Sequence, residues 1–238
     1  MDSTPKPRQR IWELDAWRGA IIVYMLFFHF MYDMHFFYGH PFNPFERLGF
    51  ATPFLISITF YPLAGITTGL SRHTFKNGLR VAALALIFFV VSWFLFPDMF
   101  VRFGTLHLLA TAMLLTPLLN RLPTWLLSTL VPVFYLLGQM AHRTLVTNPW
   151  LFPFGLMTID FTSLDYFPIF PYLGPYIAGM VFYRLVYARR GKTSLLPEWR
   201  WTRPLQFVGR HSLMIYVLHQ PVYMVLLFLT LGKPAFMN

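Results

Sequence analysis

Long apolar stretches separated by short charged segments are the main pattern of this chain. A bilayer core about 30 Å thick requires roughly 20 apolar residues per crossing helix, and shorter runs are tolerated when helix ends snorkel. Cutting the sequence at its charges leaves seven candidate spans: Ala16–Phe37, Leu48–Leu70, Val81–Phe96, Leu106–Leu119, Trp125–Ala141, Tyr172–Val186 and Ser212–Leu231. The pattern predicts an all-α bundle of about seven transmembrane helices, with residues 1–238 forming a single membrane domain.

The composition agrees with lipid as the natural solvent. Of the 238 residues, 56% are hydrophobic and only 12% are charged, which is less polar surface than a soluble domain of this length needs. The net charge of +10 lies in short segments between apolar runs, so we expect no nucleic-acid partner. The chain has no cysteine, which excludes disulfides, thiolate nucleophiles and Cys-ligated metals.

Lysine and arginine are unevenly shared between alternate connections. Of the 19 such residues, all but four lie in segments on the same side as the N-terminus, Lys6, Arg8 and Lys192 among them. The four on the opposite side are Arg47, Arg102, Arg143 and Lys233. Because cytoplasmic segments carry the excess of positive charge, we predict a cytoplasmic N-terminus and a C-terminus outside. We expect a multi-pass protein of the cell inner (cytoplasmic) membrane.

Two ionisable residues lie inside the first predicted span, where each costs a few kcal/mol unless it faces protein or water. Asp33 lies about 22 Å beyond Arg18 at a helical rise of 1.5 Å per residue, and His29 is one turn earlier on the same face. A carboxylate beside an imidazole fixes its tautomer and raises its basicity, as a general base requires. A hydrogen-bonded pair that only locks the bundle together is the alternative. A metal site is not expected, because two ligands without a clear third are insufficient.

Other polar residues are predicted at the same outer level. They are His35, His40, Arg102, His107, Asp160 and Asp165. Single residues at an interface are usually only solvated. Several at one depth, beneath the long connection from His142 to Pro171, instead favour a catalytic pocket under a cap.

The predicted inner side carries a basic cluster. Asp15 and Arg18 have the spacing of an ion pair, and the same face carries Arg72, His73, Lys76, Arg80, Arg210 and His211. The usual excess of positive charge on cytoplasmic segments explains most of these residues. The functional alternative is an entrance to the bundle that binds a phosphate-bearing ligand. His219 lies within the last span and needs a polar partner inside the bundle.

The basic stretch Arg189–Arg210 is interleaved with Trp199 and Trp201. Basic residues mixed with tryptophan are typical of a segment that lies on an anionic membrane surface. We therefore expect this stretch to follow the cytoplasmic surface.

Four segments resemble one enzyme family. They are R-x-x-x-x-D-x-x-R-G at Arg10–Gly19, FGTLH at Phe103–His107, DYFPIFPYLGP at Asp165–Pro175, and GRHSLMIYVLHQP at Gly209–Pro221. In this order they resemble the heparan-α-glucosaminide N-acetyltransferase catalytic-domain family, within the wider transmembrane acyltransferases. The chain is similar to the short bacterial members, and the resemblance covers nearly its whole length.

The resemblance implies an acetyltransferase that moves an acetyl group from cytosolic acetyl-CoA to a sugar or amino sugar outside. It implies His40 as the catalytic histidine. The residues themselves leave the His29–Asp33 pair and His107 as the other candidates. The implied CoA-binding residues, at the inner basic entrance and along the path above it, are Arg18, Asp15, Arg210, His211 and His219. The implied partners are the lipid bilayer, acetyl-CoA and the acceptor, and a homodimer is compatible with the resemblance.

Two other function classes stay open. In a proton-coupled transporter or exporter, His29, Asp33 and His219 would relay protons or bind the substrate. The sequence shows no internal repeat, which speaks against the inverted symmetry common in transporters. A non-catalytic scaffold or assembly partner is the third interpretation.

Overall fold

The computed structural model describes residues 10–48, 52–191 and 193–233. In these residues the chain is almost entirely helical and forms no β-strand, only two isolated β-bridges. The predicted all-α class is therefore confirmed. The α-helices of the described residues are α1 (Trp12–Tyr38), α2 (Pro44–Leu48), α3 (Thr52–Leu70), α4 (Thr74–Leu95), α5 (Thr105–Leu119), α6 (Thr124–His142), α7 (Ile169–Phe182), α8 (Arg203–Arg210) and α9 (Ser212–Leu231).

The predicted apolar spans largely coincide with these helices. The span Tyr172–Val186 continues beyond α7 into a π-helical turn at Tyr183–Tyr187, and a second span is divided. Within the predicted span Leu48–Leu70, α2 ends at Leu48 and α3 begins at Thr52, and residues 49–51 lie outside the described part. Within the described residues, five segments are long and apolar enough to cross a membrane: Trp12–Tyr38, Thr74–Leu95, Thr124–His142, Ile169–Tyr187 and Ser212–Leu231. The chain is therefore a multi-pass membrane protein.

Two further apolar helical segments, Phe54–Leu70 and Thr105–Leu119, are shorter than these five. Seven crossings and the sidedness of the termini consequently stay predictions. Three of the cations used for that sidedness, Lys6, Arg8 and Lys192, lie outside the described residues.

The chain divides into two compact units. The first unit contains Met1–Phe60 and Lys192–Asn238, and the second contains Tyr61–Gly191, with the boundary inside α3. The first unit thus combines an N-terminal and a C-terminal part of the sequence. A single domain over the whole chain stays a prediction.

In the first unit, α8 crosses α1 at very short range through two glycines. A Cβ atom at Gly19 would overlap the carbonyl group of Leu205, and one at Gly209 would overlap that of Asp15. The pairing of Gly19 with Leu205 and of Gly209 with Asp15 means that the two helices run antiparallel. Small residues permit such backbone contact, which places the end of α8 beside Asp15.

α9 lies along α1 in the same direction. Tyr223 on α9 donates a hydrogen bond to the carbonyl of Leu26 at 3.1 Å. Further along both helices, Tyr38 donates to the carbonyl of Gly232 at 3.3 Å. The beginning of α1 and the end of α9 therefore lie at opposite ends of the first unit.

The basic stretch after residue 192 is bonded to the beginning of α1. Leu195 N–H donates to Oε1 of Glu13 at 2.6 Å, and Trp12 Nε1 donates to the carbonyl of Leu196 at 3.1 Å. Trp12 also packs against Trp199, with ring centroids 5.9 Å apart. The structure therefore shows that this stretch contacts α1. Its position on the membrane surface stays a prediction.

In the second unit, α4 packs against α5 and α6 packs against α7. α3 approaches α7 closely, because a Cβ at Gly65 would overlap the carbonyl of Tyr176. The Tyr176 hydroxyl lies 2.6 Å from that of Thr116 on α5. The Arg184 guanidinium donates to the carbonyls of Asn120 and Leu122 at the end of α5, where cations complement the helix dipole.

The long connection before α7 is held against the α4–α5 connection. Leu164 N–H donates to the carbonyl of Met99 at 2.9 Å, and Phe167 N–H donates to that of Phe103 at 2.8 Å. The Tyr166 hydroxyl donates to the carbonyl of Phe152 at 2.7 Å. Burial, and then the neighbouring Tyr172, raises the pKa of Tyr166, so its phenol stays a hydrogen-bond donor.

Candidate functional site

The buried carboxylate on α1 is bound by an amide from α9. Asp33 is 0% exposed, and Gln220 Nε2 donates to both of its carboxylate oxygens at 2.9 Å. The sequence predicted His29 as the neighbour of Asp33. Gln220 instead donates the hydrogen bonds to this carboxylate, because α9 runs alongside α1.

His29 contacts a second histidine rather than a carboxylate. Its ring lies edge-on to that of His219, with centroids 5.0 Å apart. His219 Nδ1 lies 2.6 Å from the carbonyl oxygen of Tyr216. A carbonyl oxygen can only accept, so Nδ1 carries the proton and Nε2 of the neutral ring is an acceptor.

The Nε2 atom of His219 is the most informative atom of this cluster. His219 is only 7% exposed, and Nε2 is buried with no hydrogen-bond partner among the described residues. Leaving a buried acceptor unpaired costs about 1–3 kcal/mol. A donor from a ligand would remove that cost, which is a physical reason to place a binding or reaction site here. The predicted polar partner of His219 inside the bundle is thus the Tyr216 carbonyl, with His29 beside it.

His40 lies just beyond the end of α1. The helix ends at Gly39, whose φ of 68° is in the left-handed region that favours glycine. His40 N–H then donates to the carbonyl of Met34 at 3.0 Å, and His40 Nδ1 accepts from Phe42 N–H at 3.2 Å. The side chain is exposed, and its position is fixed by the helix end.

His107 belongs to the second unit, at the first turn of α5. Its Nδ1 accepts from Gly104 N–H at 3.2 Å, and the neighbouring Thr105 N–H donates to Oδ2 of Asp165 at 2.8 Å. A carboxylate at a helix N-terminus is stabilised by the helix dipole. The convergence of His107 with His29, Asp33 and His40 stays a prediction, since they lie in different units.

The basic cluster of the first unit is built around Asp15. The Asp15 carboxylate lies 3.6 Å from Arg18 Nη1, 3.4 Å from Arg210 Nε and 3.9 Å from Arg10 Nη1. One carboxylate cannot neutralise three guanidinium groups, so the cluster keeps a positive excess. Such an excess of guanidinium donors suits a phosphate group.

Two neighbours of this cluster complete its geometry. Arg210 Nη2 donates to Oε1 of Gln206 at 3.1 Å, and Gln206 is only 2% exposed. His211 is exposed, and its Nδ1 lies 2.9 Å from the carbonyl oxygen of Phe207. Gln206 thus orients Arg210, while the exposed His211 is bonded to the last turn of α8.

The four sequence motifs meet in pairs. The segment Arg10–Gly19 contacts Gly209–Pro221 in the first unit, through the bridge from Asp15 to Arg210. In the second unit, Phe103–His107 contacts Asp165–Pro175, through the bond from Thr105 to Asp165. Within each unit, residues far apart in the sequence therefore form one polar site.

Two polar residues of the site were not singled out in the sequence. Gln220 lies inside the last motif, where the sequence gives it no feature beyond being polar and next to His219. Gln206 lies in a basic stretch, where its neighbours carry the charge. Only the packing of α8 and α9 on α1 reveals their roles. No group of three or more His, Cys, Asp or Glu side chains in residues 10–48, 52–191 and 193–233 is arranged to hold a metal ion.

Comparison with known proteins places all four motifs within one family match. Residues 10–221 match the family described as heparan-alpha-glucosaminide N-acetyltransferase, catalytic. The matched range includes both motif pairs and most of the 238 residues. No curated protein and no solved structure matches the chain. The chain belongs to the heparan-alpha-glucosaminide N-acetyltransferase catalytic family.

Proposed function

We propose that this membrane acetyltransferase takes an acetyl group from cytosolic acetyl-CoA and delivers it to a sugar or amino sugar on the extracytoplasmic side of the inner membrane. The observation that carries the proposal is the buried, unpartnered Nε2 of His219 beside His29. It shares helix α1 with a basic cluster suited to phosphates, whose Arg210 lies at the end of α8 just before α9. The family match supports acetyl transfer as the chemistry.

The donor end of the proposal rests on the positive excess around Asp15. Arg18 and Arg210 would hold the phosphates of acetyl-CoA, with Asp15 and Gln206 fixing the two guanidinium groups. From Arg18 to His29 the distance along α1 is about 16 Å at 1.5 Å per residue. An extended ligand such as the pantetheine arm of CoA fits such a separation between its phosphates and its thioester.

The acceptor end of the proposal uses the imidazoles as bases. A neutral ring nitrogen of the His29–His219 pair removes the proton from the acceptor amine or hydroxyl as its nitrogen or oxygen attacks the thioester carbonyl. The carbon–sulfur bond then breaks, and the CoA thiolate leaves and takes up a proton. Tyr32, one turn beyond His29 on α1, would donate to the developing oxyanion, whereas the Tyr38 hydroxyl is bonded to the carbonyl of Gly232. Asp33, held by Gln220, positions this end of α1 and α9.

The parallel course of α1 and α9 supports the proposed sidedness. The two helices contact each other from Leu26 with Tyr223 to Tyr38 with Gly232. Since they run in the same direction, the beginning of α1 and the end of α9 would face opposite sides of a membrane. A chain with an odd number of crossings, such as the proposed seven, has its two ends on opposite sides of the membrane.

Acetyl-CoA binding provides the first test. We expect Arg210→Gln to weaken binding to the purified protein in nanodiscs by about tenfold or more, because a charge-assisted contact to phosphate contributes about 1.5–3 kcal/mol. The measurement is isothermal titration with acetyl-CoA and, in parallel, with acetyl pantetheine, which lacks the nucleotide.

The matched control for that test is Arg203→Gln on the same helix α8, where the side chain is exposed. Arg203→Gln should bind acetyl-CoA like the unchanged protein. Equal weakening in both variants would refute the assignment of Arg210. Substrate counterflow in proteoliposomes without any dependence on CoA would favour the transporter instead.

A further inference from the structure

A cleft of about 310 Å³ lies between α4 and α5 in the second unit. This volume is at the lower end of the range of ligand pockets, about 300–1,000 Å³. Ala82, Ala85, Ala110 and Leu114 line it with apolar surface, whereas Arg102 and His107 line its polar end. The cleft therefore has one charged end and one apolar end, and all of its lining residues belong to the second unit.

Arg102 is held in place without being neutralised. Its Nε donates to the carbonyl of Thr162 at 2.9 Å, and its guanidinium carbon lies 4.6 Å from the ring centroid of Phe100 and 5.4 Å from that of Phe161. In the described part of the chain, no carboxylate forms an ion pair with Arg102, and its Nη donors have no protein partner. Its position is fixed while its charge and four N–H groups stay available.

His107 adds a neutral donor at the same end. Its Nδ1 accepts a hydrogen bond from Gly104 N–H, so the proton of the neutral ring is on Nε2. The Thr111 hydroxyl donates to the carbonyl of His107 at 2.8 Å and keeps its lone pairs. A guanidinium and an imidazole N–H together match the oxygen atoms of a phosphate group.

We propose that this cleft binds a membrane lipid with a phosphate headgroup, the phosphate against Arg102 and His107 and part of one tail along the alanines. Charge complementarity selects the anionic head. The apolar surface selects a lipid rather than free phosphate, because α4 is itself one of the helices able to cross a membrane. The rim residue Leu86 is 62% exposed, as expected of a side chain that faces lipid tails. The inference does not depend on acetyl transfer.

The test measures lipid binding to the full-length protein in detergent by native mass spectrometry. The probe is dioctanoyl phosphatidic acid, compared with dioctanoylglycerol, which has the same tails without the phosphate, and with inorganic phosphate as a competitor. Two variants address the two ends of the cleft: Arg102→Gln removes the charge, and Ala82→Leu fills the half-buried apolar part. The control is Arg143→Gln, since Arg143 is an exposed arginine of the same unit.

We expect the phosphatidic acid to bind at least tenfold more tightly than dioctanoylglycerol. Arg102→Gln should weaken its binding about tenfold or more, Ala82→Leu should weaken it by several-fold, and Arg143→Gln should leave it unchanged. Equal binding of both lipids, equal effects of Arg102→Gln and Arg143→Gln, or complete displacement by millimolar phosphate would each overturn the proposal. If Arg102→Gln fails to fold, Ala82→Leu decides, because unchanged lipid binding in that variant also overturns it.

Discussion

Replacing His29 by Gln is expected to lower the rate of acetyl transfer by about 10²- to 10⁴-fold, the usual effect of removing a positioned general base. Glutamine keeps a polar side chain of similar size but cannot take up a proton. Acetyl-CoA binding should stay within about twofold, because Arg18 and Arg210 lie about 16 Å or more away along the helices. The measurement is the release of free CoA thiol by proteoliposomes supplied with acetyl-CoA and glucosamine.

The companion variants in the same assay are His40→Gln, as the second candidate, and His142→Gln, as an exposed histidine of the second unit. His142→Gln should keep full activity. A large loss in His40→Gln with none in His29→Gln would move the reaction centre to the end of α1. Full activity in both variants would remove the proposed centre altogether. Release of CoA without any acceptor would indicate an acetylated enzyme intermediate.

Replacing Gly209 by Val is expected to destabilise the protein by about 3 kcal/mol or more. Overpacking a core typically costs 1–3 kcal/mol, and here the added carbons meet the backbone carbonyl of Asp15 rather than a movable side chain. For a chain of this size the melting temperature should fall by roughly 10 °C. Thermal unfolding followed by size-exclusion chromatography in detergent measures the shift.

Ala20→Val is the matched control for Gly209→Val. Ala20 is exposed on α1 next to Gly19, so an added branched side chain at this position meets no other helix of the first unit. Its melting temperature should stay within about 2 °C of the unchanged protein. Similar melting temperatures for the Gly209 and Ala20 variants would mean that α1 and α8 do not cross at backbone contact.

The helices could be predicted from the sequence because lipid imposes one rule on every crossing segment. Backbone polar groups must be paired internally, so a long apolar run in a membrane is helical. The residues at which the helices begin and end could be predicted less well. The predicted span begins at Val81, after the charges of Lys76 and Arg80, whereas α4 begins at Thr74. Charges limit the part of a helix that lipid surrounds, and the helix itself continues beyond it.

The pairing of side chains across helices could not be predicted. His29 and Asp33 have the spacing of a pair on α1, yet Asp33 is bound by Gln220 and His29 packs against His219. Helical periodicity gives the face of one helix but not the identity of its neighbour. The short helix α8 illustrates the same limit, because its contact with α1 depends on Gly19 and Gly209, which lie far apart in the sequence.

The parallel neighbours α1 and α9 also determine the order of assembly. Ribosomes add about 5–20 residues per second, so Gln220 is made roughly 10–40 s after Asp33. Until then the newly inserted first helix carries an acidic side chain without its amide partner. The enzyme becomes complete only when the last helix is released.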